Sequence, residues 1–216
     1  LAAGSGRIEN KLFLSAGIMR FLILITSLIC TTAGWRPCHA QALEVWLNGG
    51  AMRVANAGIG SDPFQPGGGG SDDLALTDGW RVGAKMTINQ GDFFGHEIGY
   101  SYNRTQLRYN LVNREQGMGI HHGLYNFLLY PVREGRRLRP FVSGGGHFNN
   151  YVAPGGGTGS SRFGYSYGAG FKYRFYRYFA LRFEARQHYT GKPFDLPNQR
   201  GLLRQLEVGT GVGLYF

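Results

Sequence analysis

Along most of the chain apolar and polar side chains alternate one by one. In WRVGAKMTI, residues 80–88, Trp80, Val82, Ala84, Met86 and Ile88 take one phase, and Arg81, Gly83, Lys85 and Thr87 take the other. In RFGYSYGAGFKYR, residues 162–174, Phe163, Tyr165, Tyr167, Ala169, Phe171 and Tyr173 alternate with Gly164, Ser166, Gly168, Gly170 and Lys172. FALRFEARQHY, residues 179–189, interleaves Leu181, Phe183 and Ala185 with Arg182, Glu184, Arg186 and His188. A period of two places the two sets on opposite faces of a β-strand. No comparable stretch after residue 42 sustains an amphipathic helix over three turns.

The pattern predicts eight strands, over residues 43–54, 80–88, 94–106, 118–132, 138–149, 162–174, 179–189 and 202–216. In the third, Phe94, Ile98, Tyr100 and Tyr102 oppose Glu97, Gly99, Ser101 and Asn103. Long connections are expected after the first, third, fifth and seventh strands, including the loops near ANAGIGSDPFQPGGGGSDD, LVNREQG, YVAPGGGTGSS and GKPFDLPNQRG. Short turns follow the others, at NQGD, REGRR and FYRY. Antiparallel strands with long loops at one end and tight turns at the other describe an all-β, eight-stranded transmembrane barrel. A soluble lipocalin-like barrel would need the apolar set inside instead.

The first 42 residues follow different rules. MRFLILITSLICTTAGWRPCHAQA begins at Met19 with a positive Arg20 and an apolar core over residues 21–29, and ends near a cleavage-like Ala40 and Ala42. These are the parts of a secretory signal peptide, and the apolar run is short for a membrane span. Residues 1–18 read as an upstream extension of the frame, so residues 1–42 are separated from a barrel domain over 43–216. Both cysteines, Cys30 and Cys38, fall in the leader. Neither follows the small residue that lipoprotein processing prefers, and the domain is expected to have neither disulfides nor thiol chemistry.

Charge adds an exclusion. Arg7, Glu9, Lys11, Arg20 and Arg36 belong to the leader; 19 of the 23 Lys and Arg and 12 of the 13 Asp and Glu remain, a net charge of +7. The basic residues are dispersed singly along strands and turns rather than clustered, which is a poor footprint for nucleic acid. Trp80, Phe163, Tyr165 and Tyr173 lie near strand ends, where aromatic girdles meet the two membrane interfaces. The last segment, LEVGTGVGLYF, keeps Leu206, Val208, Val212, Leu214 and Phe216 in one phase.

That terminal segment, together with LRFEARQHYTG in the seventh strand, resembles the porin-family outer membrane protein β-barrel domain, the small barrels similar to OmpA, OmpX and OmpW. The resemblance covers residues 43–216 and implies residence in a Gram-negative outer membrane as a monomer, in contact with lipid and lipopolysaccharide. It also implies that Val212, Leu214 and Phe216 form the signal read by the barrel assembly machinery. It implies no shared activity, since the fold hosts adhesins, anchors, narrow pores and enzymes.

Eight strands enclose a lumen just wide enough to be filled by side chains, and charges there must meet opposite charges. The expected inward network comprises Glu97, Glu184, Glu207, Arg81, Lys85, Lys172, Arg182 and Arg186, with Glu184 and Glu207 each in reach of an inward cation. The inward glycines, among them Gly164, Gly168, Gly170, Gly209, Gly211 and Gly213, make room for these long side chains. The expected role is structural or at the cell surface, with the lumen plugged; a narrow channel for small solutes is the alternative.

Catalytic, cofactor and metal sites are not expected. Lipid A deacylases of this barrel size carry His and Ser two residues apart near the end of strand seven, with a downstream Glu. Here Thr190 stands in the Ser position after His188, with Glu207 on the next strand, and the alternation turns His188 inward. Such an arrangement needs nucleophile, base and orienting acid in contact. His121 and His122 point to opposite faces and cannot grip one ion together. GGGTGSS lacks the Lys and helix of a phosphate loop, and Asp72 and Asp73 lack the spaced oxygens of a calcium loop.

Overall fold

The computed structural model describes residues 42–63, 66–157 and 159–216. The segments expected to be an upstream extension and a signal peptide, with both cysteines, lie outside the described residues except for Ala42. Ten strands are present among those described: β1 (Leu43–Val54), β2 (Gly58–Gly60), β3 (Leu74–Leu76), β4 (Gly79–Gln90) and β5 (Phe94–Tyr109), followed by β6 (Arg114–Leu129), β7 (Leu138–Val152), β8 (Ser160–Arg174), β9 (Phe179–Gly191) and β10 (Leu202–Tyr215). Eight of them close a ring in the order β1-β4-β5-β6-β7-β8-β9-β10. The seam is β1 against β10, antiparallel, with Val45 opposite Leu214 and Leu47 opposite Val212.

Two expectations are corrected. The connection after β5 is a four-residue turn, residues 110–113, rather than a long loop. The hairpin continues because Arg108 lies opposite Glu115 and the pair closes at 2.7 Å, while Asn113 takes the left-handed conformation that the turn requires (φ 50°). At the other end the strand ends at Leu129 instead of residue 132, leaving residues 130–137 as the connection. Pro131, which has no N–H to give the ladder, stands just past that end. Long and short connections therefore do not alternate strictly.

The first long connection is partly ordered: β3 pairs with the end of β5, and β2 pairs with β3. This brings Ile59, Leu74 and Leu76 onto Met52, Leu107, Met118, Ile120, Tyr151 and Leu203, an apolar cap across the loop end of the barrel, against which Phe194 and Leu196 also pack. At the turn end two smaller clusters are buried, Trp46 with Ala180 and Tyr215, and Leu128 with Tyr130 and Phe141.

Between the caps polarity is inverted relative to a water-soluble fold. Phe163 is 79% exposed and Trp80 52%, whereas Lys172, Arg182 and Arg186 are each 1% exposed. Outer aromatics stack on one another across strands, Tyr165 on Tyr189 at 5.0 Å and Phe171 on Phe183 at 5.1 Å. Such pairs strengthen the sheet from its apolar side.

Gly213 is required by its position in the seam. It lies opposite Trp46, and a Cβ there would meet the indole at 2.4 Å. Gly213→Val is expected to destabilise the barrel by about 1–3 kcal/mol by displacing Trp46. Urea unfolding followed by tryptophan fluorescence checks this, and Thr210→Val on the outer face should leave the midpoint near that of the parent.

Candidate functional site

The charged interior is assembled from single inward positions on several strands. On β9, Arg182, Glu184, Arg186, His188 and Thr190 all point into the lumen, while Phe179, Phe183 and Tyr189 take the outer phase. Successive inward residues on a strand stand about 6.6–6.8 Å apart, so the column stacks in layers.

The central layer joins opposite walls. Arg182 pairs with Glu97 and, at 2.6 Å, with Glu184. Arg186 reaches Glu97 at 3.2 Å and Glu184 at 3.3 Å, and Lys85 closes on Glu184. Glu97 belongs to β5 and the arginines to β9, which stand diametrically opposite in the ring. Asn126 Nδ2 and Thr87 Oγ1 donate to the remaining lone pairs of Glu97, at 3.3 and 3.4 Å.

Nearer the loop end, Arg81 pairs with Glu207, and Glu207 also accepts from His188 Nε2 at 2.8 Å. Arg81 Nε donates to Asn103 at 2.6 Å. Nearer the turn end, Lys172 pairs with Glu44 and donates to the Tyr130 hydroxyl at 2.7 Å. Glu44 accepts from Trp46 Nε1 at 2.9 Å and Asn89 Nδ2 at 2.6 Å. Arg139 lies 3.5 Å over the Tyr130 ring and 3.3 Å from Glu134.

All eight residues expected in the lumen are thus buried on the inner face, and each carboxylate meets a cation. Glu44 and Arg139 belong to the same network and were missed. Continuing the phase inward from Val45 and Leu47 marks Glu44, and from Val142 marks Arg139; the signal was present at both sites. The barrel interior holds four glutamates (Glu44, Glu97, Glu184, Glu207) and six cations (Arg81, Lys85, Arg139, Lys172, Arg182, Arg186) among the described residues. At the turn rim, burial raises the Glu134 carboxyl, with Arg139 opposing it. On the loop side, the hydrogen bond from Arg162 lowers Asp195.

The other singled-out residues fall as follows. Val212, Leu214 and Phe216 face outward along the seam, Phe216 just past the end of β10. His188 is fully buried against Glu207, and the Thr190 hydroxyl lies 2.7 Å from His147 Nε2, inside the barrel. His121 is exposed, its Nδ1 2.6 Å from the Tyr100 hydroxyl, while His122 is buried. Asp73 accepts from the backbone N–H of Gly69 at 2.8 Å and of Gly70 at 3.1 Å, so the acidic loop staples itself. His122, His147 and His188, none of them paired by the alternation alone, converge, one ring nitrogen of each within 4.8 Å of the others. They come from three strands, so no local spacing announces them.

The sequence matches the family described as "Outer membrane protein beta-barrel domain" over residues 30–216. Among solved structures, the fold is similar to the outer membrane protein OprG from Pseudomonas aeruginosa, with 10% identity, a TM-score of 0.59, and coverage of 82% of this chain and 96% of that one. It is also similar to Neisserial surface protein A, with 15% identity, a TM-score of 0.56, and coverage of 82% and 100%. The N-terminal barrel of Pseudomonas aeruginosa OprF gives 18% identity, a TM-score of 0.50, and coverage of 82% and 98%. No curated protein matches the sequence.

Glu184 is the acid most crowded by cations, with Lys85, Arg182 and Arg186 around it. Glu184→Gln is expected to cost about 3–5 kcal/mol by leaving buried cations uncompensated. In Glu184→Gln with Lys85→Met the loss should be smaller than the sum of the single variants, a coupling read from a double-mutant cycle of urea midpoints.

Proposed function

Because this chain belongs to the outer membrane protein β-barrel domain family and is a small barrel of the bacterial outer membrane, we propose that it is a non-conducting, non-enzymatic protein with a structural or surface-interaction role. One observation carries this reading: the ion pairs of Arg182 and Arg186 with Glu97 run straight across the lumen between opposed strands. A hydrated ion entering there would have to displace paired, buried charges, which costs several kcal/mol per broken pair. The apolar cap at the loop end and the aromatic clusters at the turn end support the same conclusion.

The partners follow from the outer surface. The described apolar wall is suited to lipid, and Arg53, Arg104 and Arg204, exposed in the outer phase toward the loop end, are suited to the phosphates of lipopolysaccharide. The closed sheet leaves no long strand edge for another copy to pair with, which favours a monomer. The outward Val212, Leu214 and Phe216 on the last strand are the segment offered to the assembly machinery.

In planar bilayers the folded protein, verified by its heat-modifiable migration on gels, is expected to give no steady conductance steps. Arg182→Ala with Glu97→Ala, which removes the central crossing while conserving net charge, is expected to give intermittent openings. Steady steps from the unmodified barrel would establish the channel reading instead. Incubation with lipopolysaccharide should release no fatty acid; release abolished by His188→Ala would make the protein an enzyme.

A further inference from the structure

We propose that His122, His147 and His188 form a binding site for a divalent transition metal, zinc foremost, inside the barrel. The three imidazoles lie on β6, β7 and β9 and are 0%, 4% and 0% exposed. Their ring centroids are 4.9 to 5.2 Å apart, and one nitrogen of each lies within 4.8 Å of the others.

The hydrogen bonds divide the six ring nitrogens into two sets. His122 Nδ1 is 2.5 Å from Asn149 Oδ1, His147 Nε2 is 2.7 Å from Thr190 Oγ1, and His188 Nε2 is 2.8 Å from Glu207 Oε2. His122 Nε2, His147 Nδ1 and His188 Nδ1 are buried without a hydrogen-bond partner. Buried ring nitrogens are ordinarily satisfied, and one ion can serve all three. A metal is such an ion: it takes the free nitrogen of each ring while an outer group fixes the other, the usual second shell of a histidine ligand.

A Cβ at Gly164 on β8 would stand 2.2 Å from the Tyr189 backbone carbonyl and 2.5 Å from His147 Nε2, so glycine there serves both the strand packing and the passage of the His147 ring toward Thr190. Zinc–nitrogen bonds of about 2.0–2.1 Å in a tetrahedron place ligand nitrogens about 3.4 Å apart, so the rings would draw in by about an ångström. Three neutral nitrogens leave a fourth position for water. Arg81 and Arg186 are the nearby opposing charges: Arg81 lies 3.3 Å from His188 Nε2, on the side of Glu207, with which it is paired, and Arg186 is paired with Glu97 and Glu184. Bound there, the ion would tie three strands together beneath the apolar cap.

The full barrel, carrying no polyhistidine tag, is folded in detergent with Zn(II) present, desalted, and its metal measured; folding is checked by heat-modifiable migration. About one zinc per folded chain is expected, retained in His121→Ala, whose ring is on the outside, and lost in His147→Ala. Substituting Co(II) gives a readout independent of any variant: visible absorption bands of four-coordinate, nitrogen-ligated cobalt in the unmodified barrel. If His147→Ala does not fold, His122→Asn and the cobalt spectrum take its place. A folded barrel that retains no zinc and gives no such bands, or zinc retention unchanged by His147→Ala or His122→Asn, overturns the proposal and leaves the three imidazoles to buried water.

Discussion

Closure of eight strands into a ring is the constraint on which the rest of this molecule depends. It removes strand edges and satisfies the backbone, but it also sends every second side chain into a lumen with no room for bulk water. With lipid outside, the outer phase must be apolar. Any charge in the inner phase then has only other inward side chains to neutralise it. Arg182 and Arg186 on one wall meet Glu97 on the wall opposite, and Lys172 reaches from β8 to Glu44 on β1. The ionic network is the interior counterpart of the aliphatic and aromatic wall.

The interior is layered along the barrel axis. Aromatic rings close the turn end, charges fill the middle, histidines and Asn149 and Thr190 follow, and an apolar cap contributed partly by β2 and β3 lies over them. The histidine layer sits at the passage from the most charged to the most apolar environment. A neutral ring that can accept or donate suits such a boundary, and neutral imidazole is also the form that binds a metal. The histidine layer is joined to the charged middle through Glu207, which accepts from His188 and pairs with Arg81.

The two-residue period made the barrel legible. Phe163, Tyr167 and Phe171 against Ser166, Gly168 and Lys172 state which side faces lipid once the apolar members are too large and too numerous for an eight-stranded interior. The same rule placed Glu97, Glu184, Glu207 and their cations together on the inner face, while Glu44, near the start of β1, went unnoticed although its phase is the same. Connection lengths were less legible, because Arg108 and Glu115 extended a hairpin that the local polarity of LVNREQG had marked as loop.

Phase along a strand is a local property, since each Cβ alternates by backbone geometry alone; residue order therefore determined the eight barrel strands, the face of each of their side chains and the inverted polarity of the barrel. Which inward residue meets which depends on the stagger of the strands around the ring and on how β2 and β3 fold over its mouth. No local pattern encodes those distances. That Arg182 crosses to Glu97, and that His122, His147 and His188 share one space, was decided only by the closed tertiary structure, because contact across a lumen joins residues that sequence separation keeps far apart.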